Sequence, residues 1–143
     1  MDLRLGGARD VVLNAAEAMP PIPPLTKALM LICTAVFCLG FFVPLELWFA
    51  LWPLRTSMFW PWQLVSYGFL HGDMLHLVFN MLGLWMFGAE LERLWGKTRY
   101  WQFLLASLLA AAAMQLLITW LTGSNVPTVG ASGALFGLLL AFG

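Results

Sequence analysis

The chain has 143 residues, 62% of them hydrophobic, 15% aromatic and only 10% charged, with a mean hydropathy of +0.85. A soluble domain carries about 25% charged residues, so this composition describes an integral membrane protein. Seven basic and seven acidic side chains cancel to zero, which leaves no field to gather nucleic acid or an anionic substrate.

Residues 1–25 read as a polar cytoplasmic tail. Asp2, Arg4, Arg9, Asp10 and Glu17 deny it the continuous apolar core of a cleavable signal peptide, so the first span is expected to serve as its own insertion signal. Pro20, Pro21, Pro23 and Pro24 close the tail in extended backbone. A first span follows over 27–48, with Lys27 snorkelling at its start. Cys33 and Cys38 lie within it on different sides of a helix, in no metal-ligand spacing, and read as small buried apolar residues. Residues 45–63 then bring Glu46, Arg55, Pro53, Pro61 and the indoles of Trp48, Trp52, Trp60 and Trp62. Such a stretch belongs at a membrane–water interface and predicts an interfacial loop with short helical pieces.

A second span is expected over 73–89, with the Asp73 carboxylate as its N-cap. Glu90, Glu92, Arg93, Lys97 and Arg99 read as a charged hairpin loop. The third span, 100–121, has about 22 residues and a length of roughly 33 Å, enough for the hydrocarbon core. Turn residues Gly123, Ser124, Asn125 and Pro127 lead to a fourth helix over 131–143. Its part from Ser132 onward is roughly 18 Å long, too short to cross, so the sequence is expected to stop inside that element. The whole predicts an all-α polytopic transmembrane helix bundle. Arg4, Arg9 and Lys27 precede the first span and Arg93, Lys97 and Arg99 separate the second from the third, whereas Arg55 stands alone on the other side. That bias puts the N-terminus in the cytoplasm, and Ser132 approaches from the outer face.

Polar groups at membrane depth are costly and usually mark a site. His71, His76 and Asn80 enter one apolar stretch, and Ser132 opens another inside Gly130-Ala131-Ser132-Gly133-Ala134-Leu135-Phe136-Gly137. His76 and Asn80, spaced i, i+4, share a helix face and can donate to a common oxygen. With the Ser132 backbone N–H and a positive helix end they outline an oxyanion hole beside a serine nucleophile. Gly130, Gly133 and Gly137 would let the two helices approach; on their own, such glycines are more often packing seams. His71 reads as an interfacial or capping residue on another side of the helix. A base is missing, because His76 is wanted as a donor and His71 faces elsewhere. No pattern points to a metal or cofactor.

His71-x4-His76-x3-Asn80 together with Gly130-x-Ser132-Gly133-x3-Gly137 resembles the rhomboid intramembrane serine proteases, over roughly the last 80 residues, including Gly88-Ala89-Glu90-Leu91-Glu92 and Gly96. The resemblance implies a six- or seven-helix bundle in a bacterial inner membrane, of which about four helices are present. It would cleave transmembrane protein substrates near their outer ends by a serine–histidine dyad, without a cofactor. Ser132 would be the nucleophile, His76 and Asn80 would stabilise the oxyanion, and His71 would be auxiliary. The family's dyad histidine lies on a sixth span, beyond Gly143, so the 143 residues alone are expected to be inactive. Trp62-Gln63 stands where the family often has a Trp-Arg pair. The competing readings are a non-catalytic rhomboid-like protein that binds transmembrane clients, and a helical scaffold in which the glycines only pack. The substrate's identity and the oligomeric state are not legible.

Overall fold

The computed structural model describes Gly7, Asp10, Val11 and Pro20–Phe142. The tail residues Asp2, Arg4, Arg9 and Glu17, and Gly143 at the other end, lie outside the described residues. Helix α1 spans Pro24–Gly40 and a short α2 Glu46–Phe49; α3, Gln63–Ser66, runs into a 3₁₀ turn, Tyr67–Phe69. Helix α4 covers Met74–Gly83 and continues through a π-helical turn, Leu84–Gly88, into α5, Ala89–Thr122; α6 is Ser132–Phe142. The fold is all-α: among the described residues, extended pairing is confined to one isolated antiparallel bridge, Leu51 with Thr128.

Proline at the start of α1 loses nothing, since the first N–H of a helix has no intrahelical partner. Its free donors are taken instead by a distant side chain. Glu92 Oε1 accepts from Leu25 N (2.9 Å), and Glu92 Oε2 from Thr26 N (2.7 Å) and Thr26 Oγ1 (2.8 Å), with Tyr100 Oη 3.3 Å from that hydroxyl. Glu92, Thr26 and Tyr100 are all buried. At the other end α1 closes with tight bonds from Phe41 N to Cys38 O and from Phe42 N to Leu39 O. The helix therefore stops at Gly40, short of the Trp48 expected from hydropathy. Of its two cysteines only Cys33 is buried; Cys38 is exposed and both are free.

The expected charged loop over 90–99 is not a loop. Glu90, Glu92 and Arg93 are helical before the turn, with Arg93 Nη1 3.2 Å from Glu90 Oε2, and Lys97 and Arg99 are helical after it. The whole reversal falls on Gly96, at φ 77° and ψ 161°, a conformation that only glycine adopts without strain. That the chain turns back there follows from packing. A Cβ on Gly88 would run into Tyr100 Oη, yet residues 88 and 100 on a straight helix would stand about 18 Å apart. The run Met74–Thr122, long and apolar enough to cross a membrane, is thus two antiparallel legs. Between them and α6 lies a core of Leu84, Leu91, Tyr100, Leu104, Leu108 and Leu138.

Helix α6 packs on α5 through small residues. A Cβ on Gly133 would strike Ala111, and one on Gly137 would strike Ser107. Glycines four apart on one helix thus face small residues four apart on the other, the geometry by which membrane helices gain dispersion energy without a hydrophobic drive. This corrects the expectation that Gly133 and Gly137 bring α6 to the helix of His76 and Asn80, whereas Gly130 does lie against His76. Toward α4 the close contact is different: Leu135 Cδ1 lies 3.1 Å from where a Cβ of Gly83 would stand. Large apolar side chains such as Phe79 (67%) and Leu140 (82%) face outward, as surfaces bathed in acyl chains do.

Candidate active site

The segment between α5 and α6 dives below the end of α5 before Ser132 begins the next helix. Irregular backbone is tolerated at membrane depth only where protein takes up its polar groups. Here Leu51 N donates to Thr128 O (2.9 Å), Thr128 N to Leu51 O (3.0 Å) and Gly130 N to Tyr67 O (2.9 Å). The interfacial stretch thus holds the strand that enters α6. Gly130 needs to be glycine twice over, for its φ of 118° and because a Cβ there would collide with the His76 ring. The first bond of α6 runs from Leu135 N to Ala131 O (3.0 Å), so the Ser132, Gly133 and Ala134 N–H groups precede the ladder and carry the helix's positive end.

Asp73 caps α4, accepting from His76 N at 2.8 Å. The cap fixes the first turn and with it His76, whose ring lies against Gly130. Asn80 is one turn further down, about 10 Å below Asp73 by helical rise. It is 4% exposed, and its Nδ2 stands 3.7 Å from the Cβ position of Gly130. Asn80 and Ser132 line one open cleft of about 310 Å³ between α4 and α6, whose walls include Phe79, Gly83, Phe87 and Phe136. Ser132, Leu135, Phe136 and Leu139 form its α6 side at helical spacing, while Gly133 and Gly137 turn to α5. Packing seam and polar site are therefore two faces of one helix: the glycines seat α6 on α5, and that leaves Ser132 facing α4.

His71 is not on the helix and does not cap it. It lies in the non-helical link before Asp73, 6% exposed, with its ring 5.1 Å from that of His76 at 64°. Burial first, and the neighbouring His76 second, push its pKa down to about 4. Among the described residues, neither His71 ring nitrogen nor Asn80 Nδ2 has a hydrogen-bond partner. Buried polar groups are nearly always paired with protein or with ordered water, so these three atoms mark a place where a polar partner, water included, is taken up.

Two further residues, outside the site's motifs, support it. Tyr67, whose phenol burial raises to about 12, stays protonated and donates to Leu108 O at 2.9 Å, while its carbonyl holds Gly130. Gln63 is fully buried and ties four backbone groups of the interfacial stretch: Oε1 accepts from Trp52 N (3.3 Å) and Trp60 N (3.2 Å), and Nε2 donates to Trp48 O (3.3 Å) and Met58 O (2.9 Å). Its isolation as a polar residue among Trp60, Trp62 and Leu64 was the one available hint. Among the described residues no cluster of three or more His, Cys, Asp or Glu could hold a metal.

The family model of the Rhomboid domain matches residues 58–142, which takes in every residue of this cleft. A rhomboid protease GlpG of Klebsiella pneumoniae is 38% identical over 74 residues, 49% of this chain and 26% of that protein. A rhomboid protease GlpG of Yersinia pestis is 28% identical over 131 residues, 76% of this chain and 47% of that protein, and one of Yersinia pseudotuberculosis matches equally. The chain spans between about a quarter and a half of the length of these relatives.

Proposed function

The chain belongs to the rhomboid family, and from that we propose that the protein is an intramembrane serine endopeptidase acting on transmembrane substrates, with Ser132 as nucleophile. The observation that carries this reading is the convergence, in one cleft, of a half-buried hydroxyl at a helix N-terminus with an unpaired buried amide and, against Gly130, an imidazole. Ser132 Oγ attacks the scissile carbonyl, and the oxyanion that forms is held by Asn80 Nδ2, His76 and the Ser132 N–H. A donor with no ground-state partner fits this role, since its bond is made only when charge develops. Its desolvation is already met in the folded protein.

The general base is not among these groups. His76 is committed to the oxyanion and His71 is held neutral behind it, so the histidine of the serine–histidine dyad that the family resemblance implies is neither of these two. Lys27, Arg93, Lys97 and Arg99 gather at the Gly96 end of the bundle and support a cytoplasmic placement of that end. The cleft then opens toward the extracytoplasmic side of a bacterial inner membrane.

The test is Ser132→Ala in the protein expressed from its complete reading frame. Labelling by a serine-directed phosphonate and cleavage of a transmembrane reporter should both disappear; retained cleavage would refute the nucleophile. Expressed as these 143 residues alone, the chain should show no proteolysis above background, because loss of a general base costs about 10²- to 10⁴-fold.

A further inference from the structure

Tyr67 meets the chain on both sides of Ser132. Its carbonyl accepts from Gly130 N at 2.9 Å, two residues before the nucleophile, and its phenol donates to Leu108 O of α5, also at 2.9 Å. Tyr67 Oη stands 3.4 Å from where a Cβ of Gly133 would be, one residue after the nucleophile. Tyr67 is 3% exposed, and the next residue, Gly68, is pressed on α5 so closely that a Cβ there would stand 2.8 Å from Leu108 Cδ1. We propose that Tyr67 is a positioning residue for the nucleophile: its phenol transfers the level of α5 to the segment that carries Ser132, and so sets the height of Oγ and of the Ser132 N–H against Asn80. The proposal rests on the serine-protease reading above and adds the group that keeps the nucleophile in register.

The two anchor points give this residue its leverage. Leu108, which takes the phenol, and Ala111, which faces Gly133, lie three residues apart on α5 and share a face. The segment entering α6 and α6 itself are therefore seated on one stripe of α5, and Ser132 lies between the two seats. A backbone carbonyl has two lone pairs, so Leu108 O can take the phenol without giving up its place in the helix. The seam of Gly133 and Gly137 fixes how near α6 comes to α5, but small residues offer little to stop one helix sliding along the other. A hydrogen bond, with its narrow range of length and angle, does. The Tyr67 carbonyl acts in the same sense, because it occupies the Gly130 N–H and keeps it from competing with the Ser132 N–H for the oxyanion. Moving reacting atoms by about 1 Å can cost about 100-fold in rate, so one bond that holds the level bears on catalysis beyond its share in stability.

The test separates register from packing, in the protein expressed from its complete reading frame. Tyr67→Phe keeps the ring and removes the donor. It should lower the rate of phosphonate labelling at Ser132 and kcat for a transmembrane reporter together, by about 10-fold or more, with KM within about 2-fold of the parent's. The unfolding midpoint in detergent should move by no more than about 5 °C. Tyr67→4-aminophenylalanine, which puts an N–H donor where the hydroxyl was, should bring labelling back to within about 3-fold of the parent. Tyr67→4-methylphenylalanine, similar in bulk and without a donor, should not. Unchanged labelling and turnover in Tyr67→Phe, a rise in KM alone, or equal recovery by the methyl and amino side chains would overturn the proposal. So would a Tyr67→Phe protein that is unfolded under the assay conditions, since the phenol would then serve the bundle as a whole. If the parent protein is not labelled, the nucleophile assignment fails instead.

Discussion

Two buried polar clusters sit at opposite ends of the same bundle, and they are built on opposite rules. Around Glu92 every polar partner is met: three donors from α1 converge on one carboxylate, and Tyr100 closes the group. Around His76 three buried nitrogens, two on His71 and one on Asn80, are left without partners. Glu92, His71 and Asn80 are equally buried, so burial does not separate the clusters; satisfaction does. A saturated network fixes helices, and an open one holds free energy in reserve for a group that arrives later.

Breaking the closed cluster should have the largest effect on stability. Glu92→Ala strands the Leu25 and Thr26 N–H groups and the Thr26 hydroxyl, and should cost about 3–5 kcal/mol in thermal or denaturant unfolding in detergent. A loss below about 1 kcal/mol would mean that α1 is held by other means. Next is a titration at the open end. His71 titrates near pH 4 when folded and near 6.5 when not, so below 6.5 the unfolded chain takes up a proton that the folded one refuses. Stability should therefore fall as the pH drops from 6.5 to 4, by about 3 kcal/mol in all. His71→Gln should flatten that slope, and an unchanged slope would assign it to other groups.

Asn80→Ala sharpens the contrast. It should alter unfolding by less than about 1 kcal/mol, because Nδ2 has no bond to lose, yet lower turnover about 10- to 10³-fold at unchanged KM; His76→Ala should lower turnover likewise. Loss of fold in Asn80→Ala would make that end structural as well. The smallest effect belongs to neither cluster: Arg55 lies 4.7 Å from the ring centre of Trp120, and Arg55→Ala should cost about 0.5–1 kcal/mol, read as a small shift in Tm.

How much of this was written in the sequence depends on how local each feature is. Ser132, His76 and Asn80 stand out because polar groups in apolar segments are rare, and the Asp73 cap because its acceptor and donor lie three residues apart. The all-α bundle follows from the same hydropathy. The charges of 90–99 misled, since Glu, Leu, Arg and Lys are good helix formers and nothing before Gly96 gives the chain cause to stop. The partner of the glycine seam was hidden by Ala110-Ala111-Ala112-Ala113, which is small on every face and so specifies none. Tyr67, Gln63 and the Leu51–Thr128 pair act across long stretches of chain, through contacts that no local pattern encodes.

The one-residue reversal at Gly96 reaches beyond packing. With helix running up to it and away from it, the two legs share a bare elbow, with no slack for a soluble protease to thread or a degradation machine to grip. The legs also enter the bilayer as one unit, because neither can cross without dragging the other. A bulky residue in place of that glycine would unlace the pair, and the first sign would be new proteolytic cuts at the elbow itself.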